Sequence, residues 1–504
     1  MLPSWIINIL VIALGALLAC YIGATLPDLD PVLAFYILFL VVISTVCAVT
    51  NNFPFLLALS AWTPIQLPLP FFKNFPTFAL VLLWASCILF FRLCLTGTIR
   101  YVKSYNLFIL LCFAWVPIRF LMNPVDKLGS SVQGGSGVSG AAPYFGYAIA
   151  AVTVVFIGVL LNSREKVILY MRWSFRSCLV IGFALLCCAF IPTTGPFLTS
   201  MGMFAAGDIG DGIQRLVVLP GYGLFLFQAA FCPSLFRLTR IQSVAVFLFG
   251  LAMMIVGGNR SAMAAALIAA PLILLLRKKT FAFLSSISLA IFGIIVLHVT
   301  ISQLNTINIP PLARSLGIFD SRIDESTGGN LSADWRYAVW QSGIDKIKEH
   351  PLIGKGFGNL PERLAVDENF NKENSTDFEV ILAGGEAHNG FVVAAYAFGI
   401  PFMVALSVVI FQRLFIQVRL AITSDKSDPE LLDFHALLAS TIASFPLLIY
   451  AAFDMSALTL WIYIGLGLIL QNLQLNSPAN GTSNFVRNES RVQNGRTFNA
   501  SQIH

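Results

Sequence analysis

Three arginines and one histidine sit where an apolar chain has little routine use for an ionisable group. Arg260 follows a pair of glycines in "GGNRSAMAAAL", at the start of a long apolar run. Arg215 lies in "GDIGDGIQRLVVLPGYG", where another apolar run opens. Arg336 begins the amphipathic stretch "WRYAVWQSGIDKIKEHPLIGKGFG" (335–358), and His388 stands in "GGEAHNGFVV" (384–393), two places after Glu386. A guanidinium donates paired hydrogen bonds to phosphate oxygens and never loses its charge. A helix N-terminus adds backbone donors to such a site. Two or three arginines brought together therefore suit a diphosphate. An imidazole titrates near neutral pH and can take a proton from a hydroxyl. A carboxylate such as Glu386 can orient that ring or raise its pKa.

Each residue also has a plainer reading. An arginine near a helix end often snorkels to the membrane interface. A histidine at a loop–helix junction is often a cap or simply solvated. Their joint occurrence on one side gives the chemical reading its weight. Arg119 and Asp454 read as structural pairing. Asp28 and Asp30 in "PDLDP" read as a turn more than a metal site. His298, His350, His435 and His504 show no ligand-like grouping. The nine cysteines fall in or beside apolar runs without metal-ligand spacing.

The elements that must carry these residues are membrane helices. The 504 residues are 57% hydrophobic and only 11% charged, with a mean hydropathy of +0.81, where soluble domains carry roughly 25% charged residues. The expected fold class is an all-α polytopic membrane protein, with about 14 transmembrane helices of about 20 residues each. Their centres fall near residues 13, 40, 60, 85, 114, 152, 183, 226, 249, 268, 289, 400, 443 and 465. The first is expected to be a retained helix and not a signal peptide. The third is the weakest, because Pro54, Pro64, Pro68 and Pro70 interrupt it. Basic residues gather in every second connection: Arg92, Arg100 and Lys103; Arg164, Lys166, Arg172 and Arg176; Arg237 and Arg240; Arg277, Lys278 and Lys279; Arg413, Arg419 and Lys426. These connections are expected to face the cytoplasm, with both termini.

One long loop, about 299–388, is then expected on the other side. It holds eight Lys/Arg and thirteen Asp/Glu. Within it, Tyr337, Trp340, Ile344 and Ile347 predict one apolar face of a helix that lies on the membrane or covers a cavity. Pro351 should stop this helix, and Gly354, Gly356 and Gly358 should make a flexible turn. The Asn- and Ser-rich tail, 476–504, is expected to be disordered and cytoplasmic.

Three fragments in order carry a resemblance: "GGNRSAMAAALIAAPLILLLR", "DWRYAVWQSGIDKIKEHPLIGKGFGNL" and "EAHNGFVVAAYAFGIPFMVAL". An arginine opens a helix; an Arg-x-x-x-Trp helix leads to His-Pro-Leu-x-Gly-x-Gly; His-Asn precedes a helix with Phe-Gly-Ile-Pro. The set resembles the O-antigen ligase/polymerase superfamily of bacterial envelope glycosyltransferases over about 245–405. The chain then divides into N-terminal helices (1–244), a superfamily-like core (245–405), C-terminal helices (406–475) and the tail (476–504). The resemblance implies an inverting transfer without metal or other cofactor at the periplasmic face of the inner membrane. The donor would be an undecaprenyl-diphosphate-linked glycan. The acceptor would be another glycan for a polymerase, or lipid A–core for a ligase. It implies diphosphate binding by Arg260 and Arg336, with Arg215 where the family often has another functional arginine, and a catalytic His388 with Glu386 beside it. Whether His388 is a base or a diphosphate contact stays open. Further partners would be the bilayer and a chain-length regulator or flippase; nothing points to nucleic acid. A transporter of lipid-linked sugars and a non-enzymatic assembly scaffold compete with this reading. The expected helix count leans towards polymerase.

Overall fold

The computed structural model describes residues 31–69, 72–96, 101–122, 142–191, 205–208, 214–216, 218–288, 329–357, 378–383, 387–424, 427–451 and 455–475. Glu386, Asp28, Asp30, Asp454, most of the long loop and the tail lie outside them. The described chain is nearly all helical. Its first elements are α1 (Pro31–Val49), α2 (Phe53–Trp62), α3 (Thr77–Thr96), α4 (Leu107–Met122), α5 (Ala142–Leu160) and α6 (Arg164–Ala189). There follow α7 (Leu219–Ala230), α8 (Pro233–Phe236), α9 (Arg240–Val256), α10 (Arg260–Leu276), α11 (Gly329–Glu349) and α12 (Phe378–Ala383). The last are α13 (Gly390–Phe398), α14 (Ile400–Thr423), α15 (Pro429–Ala451) and α16 (Leu458–Leu475). Two short antiparallel ribbons interrupt them, β1 (Gln66–Leu69) with β2 (Phe72–Pro76) and β3 (Ala205–Asp208) with β4 (Gln214–Leu216).

Five described helices, α5, α6, α14, α15 and α16, are long and apolar enough to cross a membrane, and six further helices contribute apolar described stretches of 10–17 residues. The expected fourteen spans are therefore not reached among the described residues. The segment expected near residue 13 lies outside them, and that near 289 runs beyond them. Local chemistry explains several short helices. α2 stops at Trp62, and the proline-rich stretch after it pairs as β1–β2. α7 is bounded by Pro220 in its first turn and Pro233 just beyond its end. The single helix expected near residue 400 is two helices, because Gly399 adopts φ +91° between α13 and α14.

Close helix crossings use small residues. A Cβ on Gly223 of α7 would lie 2.6 Å from the Gly250 carbonyl oxygen of α9, so the two backbones meet directly. α15 runs through the centre as a shared partner. Its Ser444 Oγ donates to the Ala265 carbonyl of α10 at 3.4 Å. Near its start, Asp433 is 1% exposed and lies 2.7 Å from Arg277 Nε at the end of α10. Asp433 also accepts from the Ser234 N–H of α8 at 2.8 Å. Arg277 donates to the Phe231 carbonyl at 2.5 Å. Arg172 of α6 pairs with Glu430 and donates to the Leu235 carbonyl, and Arg164 lies 2.6 Å from Asp428. These bonds tie α6, α8, α10 and α15 together at one end of the bundle.

At the other end, residues 350–357 leave α11 and nest on the α13–α14 break. Lys355 N–H donates to the Tyr396 carbonyl, Ile400 N–H to the Pro351 carbonyl, and Trp115 Nε1–H of α4 to the Phe398 carbonyl. Arg119 of α4, 5% exposed, donates to the Gly354 carbonyl at 2.9 Å. Tyr144, Phe357 and Phe398 pack edge to face beneath this turn, and Phe357 N–H donates to the Tyr144 hydroxyl at 3.1 Å.

Two expectations are corrected here. Gly354 (φ +70°) and Gly356 (φ +86°) are buried in a packed turn, while Gly358 lies outside the described residues; the two glycines serve the left-handed conformation and the close approach. The apolar face of α11 is rotated from the expected one. Tyr337 is 67% exposed and Ile344 42% exposed, whereas Val339 and Gly343 are buried and Trp340 and Ile347 pack on the core. A Cβ on Gly343 would meet Val392 Cγ1 at 2.7 Å and Leu382 Cδ2 at 3.1 Å. The helix thus turns its small residue inward to reach α12 and α13. On its far side Lys346 pairs with Glu349 and Lys348 with Asp345. The hydrogen bond from Lys348 holds the Asp345 carboxyl below the usual carboxylate range, as on a solvated face.

Candidate active site at one end of the bundle

Two helices, α10 and α13, open in the same way. Asn259 Oδ1 accepts from the backbone N–H of Ser261 (2.9 Å) and Ala262 (3.3 Å). Asn389 Oδ1 accepts from Phe391 (3.1 Å) and Val392 (3.3 Å). Each asparagine is an N-cap that satisfies helical donors with its own side chain. Each follows a left-handed residue, Gly258 (φ +60°) or His388 (φ +51°). The first helix presents Arg260 at its first position. The second places His388 immediately outside its cap.

α15 fixes which end these openings share. Its early Asp433 holds the end of α10. Ser444 then meets α10 only five residues in from Arg260, and Tyr450, at the finish of α15, packs on Trp340 with ring centroids 5.1 Å apart. Trp340 Nε1–H in turn donates to the Ala387 carbonyl at 2.7 Å. Arg260, α11 and His388 therefore occupy one end of the bundle, away from the Arg277–Asp433 end.

His388 is exposed, yet its backbone lies in a region that costs a non-glycine residue about 1–3 kcal/mol. Its neighbours over-determine that conformation: Ala387 is buried and bonded to Trp340, and Asn389 is buried and committed to capping. The imidazole stands 6.1 Å, centroid to centroid, from the Trp335 ring at an interplanar angle of 62°. Arg336, next in the chain, is half-buried on the same helix. The structure thus brings Trp335, the neighbour of Arg336 on α11, beside His388 and puts Arg260 at their end of the molecule.

Arg215 is placed differently from expectation. It does not open a helix; it lies in β4, paired across the ribbon with Ala206. Pro220 in the first turn sets the start of α7 four residues further on, at Leu219. The strand still leads towards the site: a Cβ on Gly257 would lie 2.4 Å from Pro220 Cγ, so α7 begins against the turn that precedes Arg260.

Sequence reasoning gave no role at the site to Trp335 or Asn389 and read Trp340 as part of an apolar face. Trp335 and Trp340 flank Arg336 on α11, and only the rotation of that helix separates their roles. Asn389 had a readable signal, an N-cap residue directly before an apolar helical run. Arg119, expected in structural pairing, bonds a backbone carbonyl of the 350–357 turn.

Residues 245–407 match the family model described as O-antigen ligase. No curated protein matches the chain. The matched stretch, about a third of the sequence, contains Arg260, Arg336 and His388 and begins after Arg215.

Proposed function

We propose that this multi-pass membrane protein, whose residues 245–407 match the O-antigen ligase family model, is an enzyme of the O-antigen ligase/polymerase superfamily and transfers a glycan from an undecaprenyl diphosphate carrier to a sugar hydroxyl. The face used would be the periplasmic side of a bacterial inner membrane, with both termini in the cytoplasm. The observation that supports this most directly is His388. It is an exposed imidazole held in a left-handed conformation outside a capped helix, beside the helix that carries Arg336.

An acceptor hydroxyl attacks the anomeric carbon, and the neutral His388 takes its proton. The carbon–oxygen bond to the carrier breaks, and the electron pair leaves on the diphosphate. Arg260, Arg336 and Arg215 neutralise the charge that develops there, a task guanidinium groups do without a metal. Attack opposite the leaving group inverts the anomeric centre. Glu386 would orient the imidazole. Polymerase is favoured over ligase by the number of apolar segments in the sequence.

A deletion strain complemented with wild type or His388→Ala tests this. Single repeats on the acceptor or carrier after deletion indicate a lost polymerase, and long chains stranded on carrier a lost ligase. His388→Ala should reproduce the deletion while the protein still inserts. Unchanged glycans in the deletion strain would sink the reading, and a His388→Ala protein that restores full-length glycan would remove His388 from it. In purified protein, activity should rise as the pH climbs through the imidazole titration; a fall would make His388 a cationic diphosphate contact instead.

A further inference from the structure

We propose that Trp335 is a sugar platform: its indole face takes the apolar face of the acceptor pyranose and presents a hydroxyl to His388. This rests on the glycosyl-transfer reading above and specifies how the acceptor is held.

α11 carries two indoles with different employment. Trp340 is committed to structure, with its N–H on the Ala387 carbonyl and its ring on Tyr450. Trp335 is 37% exposed, and its ring stands beside the imidazole with the planes inclined at 62°. The two rings meet edge to face, and both residues are exposed. One face of a pyranose is a patch of C–H groups carrying slight positive charge, which packs on the negative face of an aromatic ring. Its hydroxyls project from the edge. A sugar seated on Trp335 therefore directs an edge towards His388, where a proton acceptor is required.

The geometry is fixed on both sides. Gly343 locks α11 against Val392 and Leu382. Trp340 ties α11 to Ala387, the residue next to His388. The backbones that carry the indole and the imidazole thus keep their relation without help from the ligand, which lowers the ordering cost of binding. Arg336 is half-buried while Trp335 is exposed, so adjacent residues address different parts of the reaction: diphosphate and acceptor sugar. An exposed tryptophan near a membrane can instead be an interfacial anchor, and the test separates the two.

The test uses full-length protein in lipid nanodiscs, with Trp335→Ala, Trp335→Leu and Trp335→Phe. Transfer is measured with carrier-linked glycan from the deletion strain. Binding is measured with the oligosaccharide released from that glycan by mild acid, read by tryptophan fluorescence and calorimetry. Ala and Leu should raise the acceptor KM about tenfold, while kcat changes less than about threefold. Phe should stay within about threefold of wild type in both. The fluorescence response to oligosaccharide should vanish in Trp335→Phe although calorimetry still detects binding. Leu matching Phe would mean an apolar anchor and no platform. Unchanged KM in Trp335→Ala, or a fall in kcat alone, would equally overturn the proposal. If wild type transfers nothing yet binds oligosaccharide through Trp335, the transfer reading falls and the platform stands. If wild type transfers and the variants match it, the platform alone falls. If wild type neither transfers nor binds, both fall.

Discussion

A guanidinium and an ammonium carry the same charge, but only the guanidinium offers a rigid pair of donors to a phosphate. Under the proposed mechanism, Arg260→Lys and Arg336→Lys should each lower the transfer rate about a hundredfold, near the loss typical of one oxyanion donor. Thermal melting in detergent should barely change, because Lys keeps the charge and most of the stem. Full activity in both Lys variants would reduce these arginines to interfacial snorkellers. At this scale the sequence showed which residues are costly but not what holds them. Arg260 and His388 were visible as ionisable groups in apolar surroundings. The left-handed backbone of His388 was not, because it depends on Asn389 capping one side and on Trp340 binding Ala387 on the other, a contact that spans 47 residues of chain. Arg215 was visible for the same reason as Arg260, but its position was misjudged: Pro220 starts the helix later and leaves the arginine in a ribbon.

Between elements, the closest approaches are made where glycine removes a side chain. A Cβ on Gly354 would lie 2.5 Å from the Ala397 carbonyl carbon and the Phe398 nitrogen, and one on Gly399 would lie 2.2 Å from the Leu352 oxygen. Both residues also have positive φ. Gly354→Ala and Gly399→Ala should each cost about 3 kcal/mol, the sum of left-handed strain and overpacking. Gly221→Ala is the control, since nothing lies within 4 Å of its added Cβ and α7 gains helix propensity. A melting series in detergent checks this: the first two should melt well below wild type and the control at or above it. A Gly354→Ala protein that melts like wild type would mean the 350–357 turn does not need its nest. Periodicity gave α11 its amphipathic character and Pro351 its finish, but the helix starts at Gly329, before the expected stretch at 335. The periodicity also gave a face rotated from the observed one: Trp340 and Ile347 do pack on the core, but an apolar count ignores Gly343 and favours Tyr337 and Ile344. Glycine scores as neutral in such a pattern, yet it marks where backbones touch.

For the whole molecule, the ion pairs at the Arg277–Asp433 end tie α6 and α10 to the start of α15. Asp433 is buried with Arg277 and the Ser234 N–H as partners. Asp433→Ala strands the arginine and should cost about 3–5 kcal/mol, while an Arg277→Met/Asp433→Leu double variant should recover most of that loss. Size-exclusion melting of the three proteins gives the coupling directly. An Asp433→Ala protein as stable as wild type would show that this pair holds nothing. In the sequence, Arg164, Arg172 and Arg277 read only as markers of orientation. Their acidic partners sit at 428–433, near the start of a helix whose remaining sequence is apolar, so nothing local announced the pairing. The other end of the bundle has a different arrangement. Residues up to 357 are fastened through Phe357 to Tyr144, and Leu382 is fastened by Gly343. The helix α11 is thus braced at its finish and at its middle, and a change at either brace, even one far from His388, should be felt at the mouth of α13.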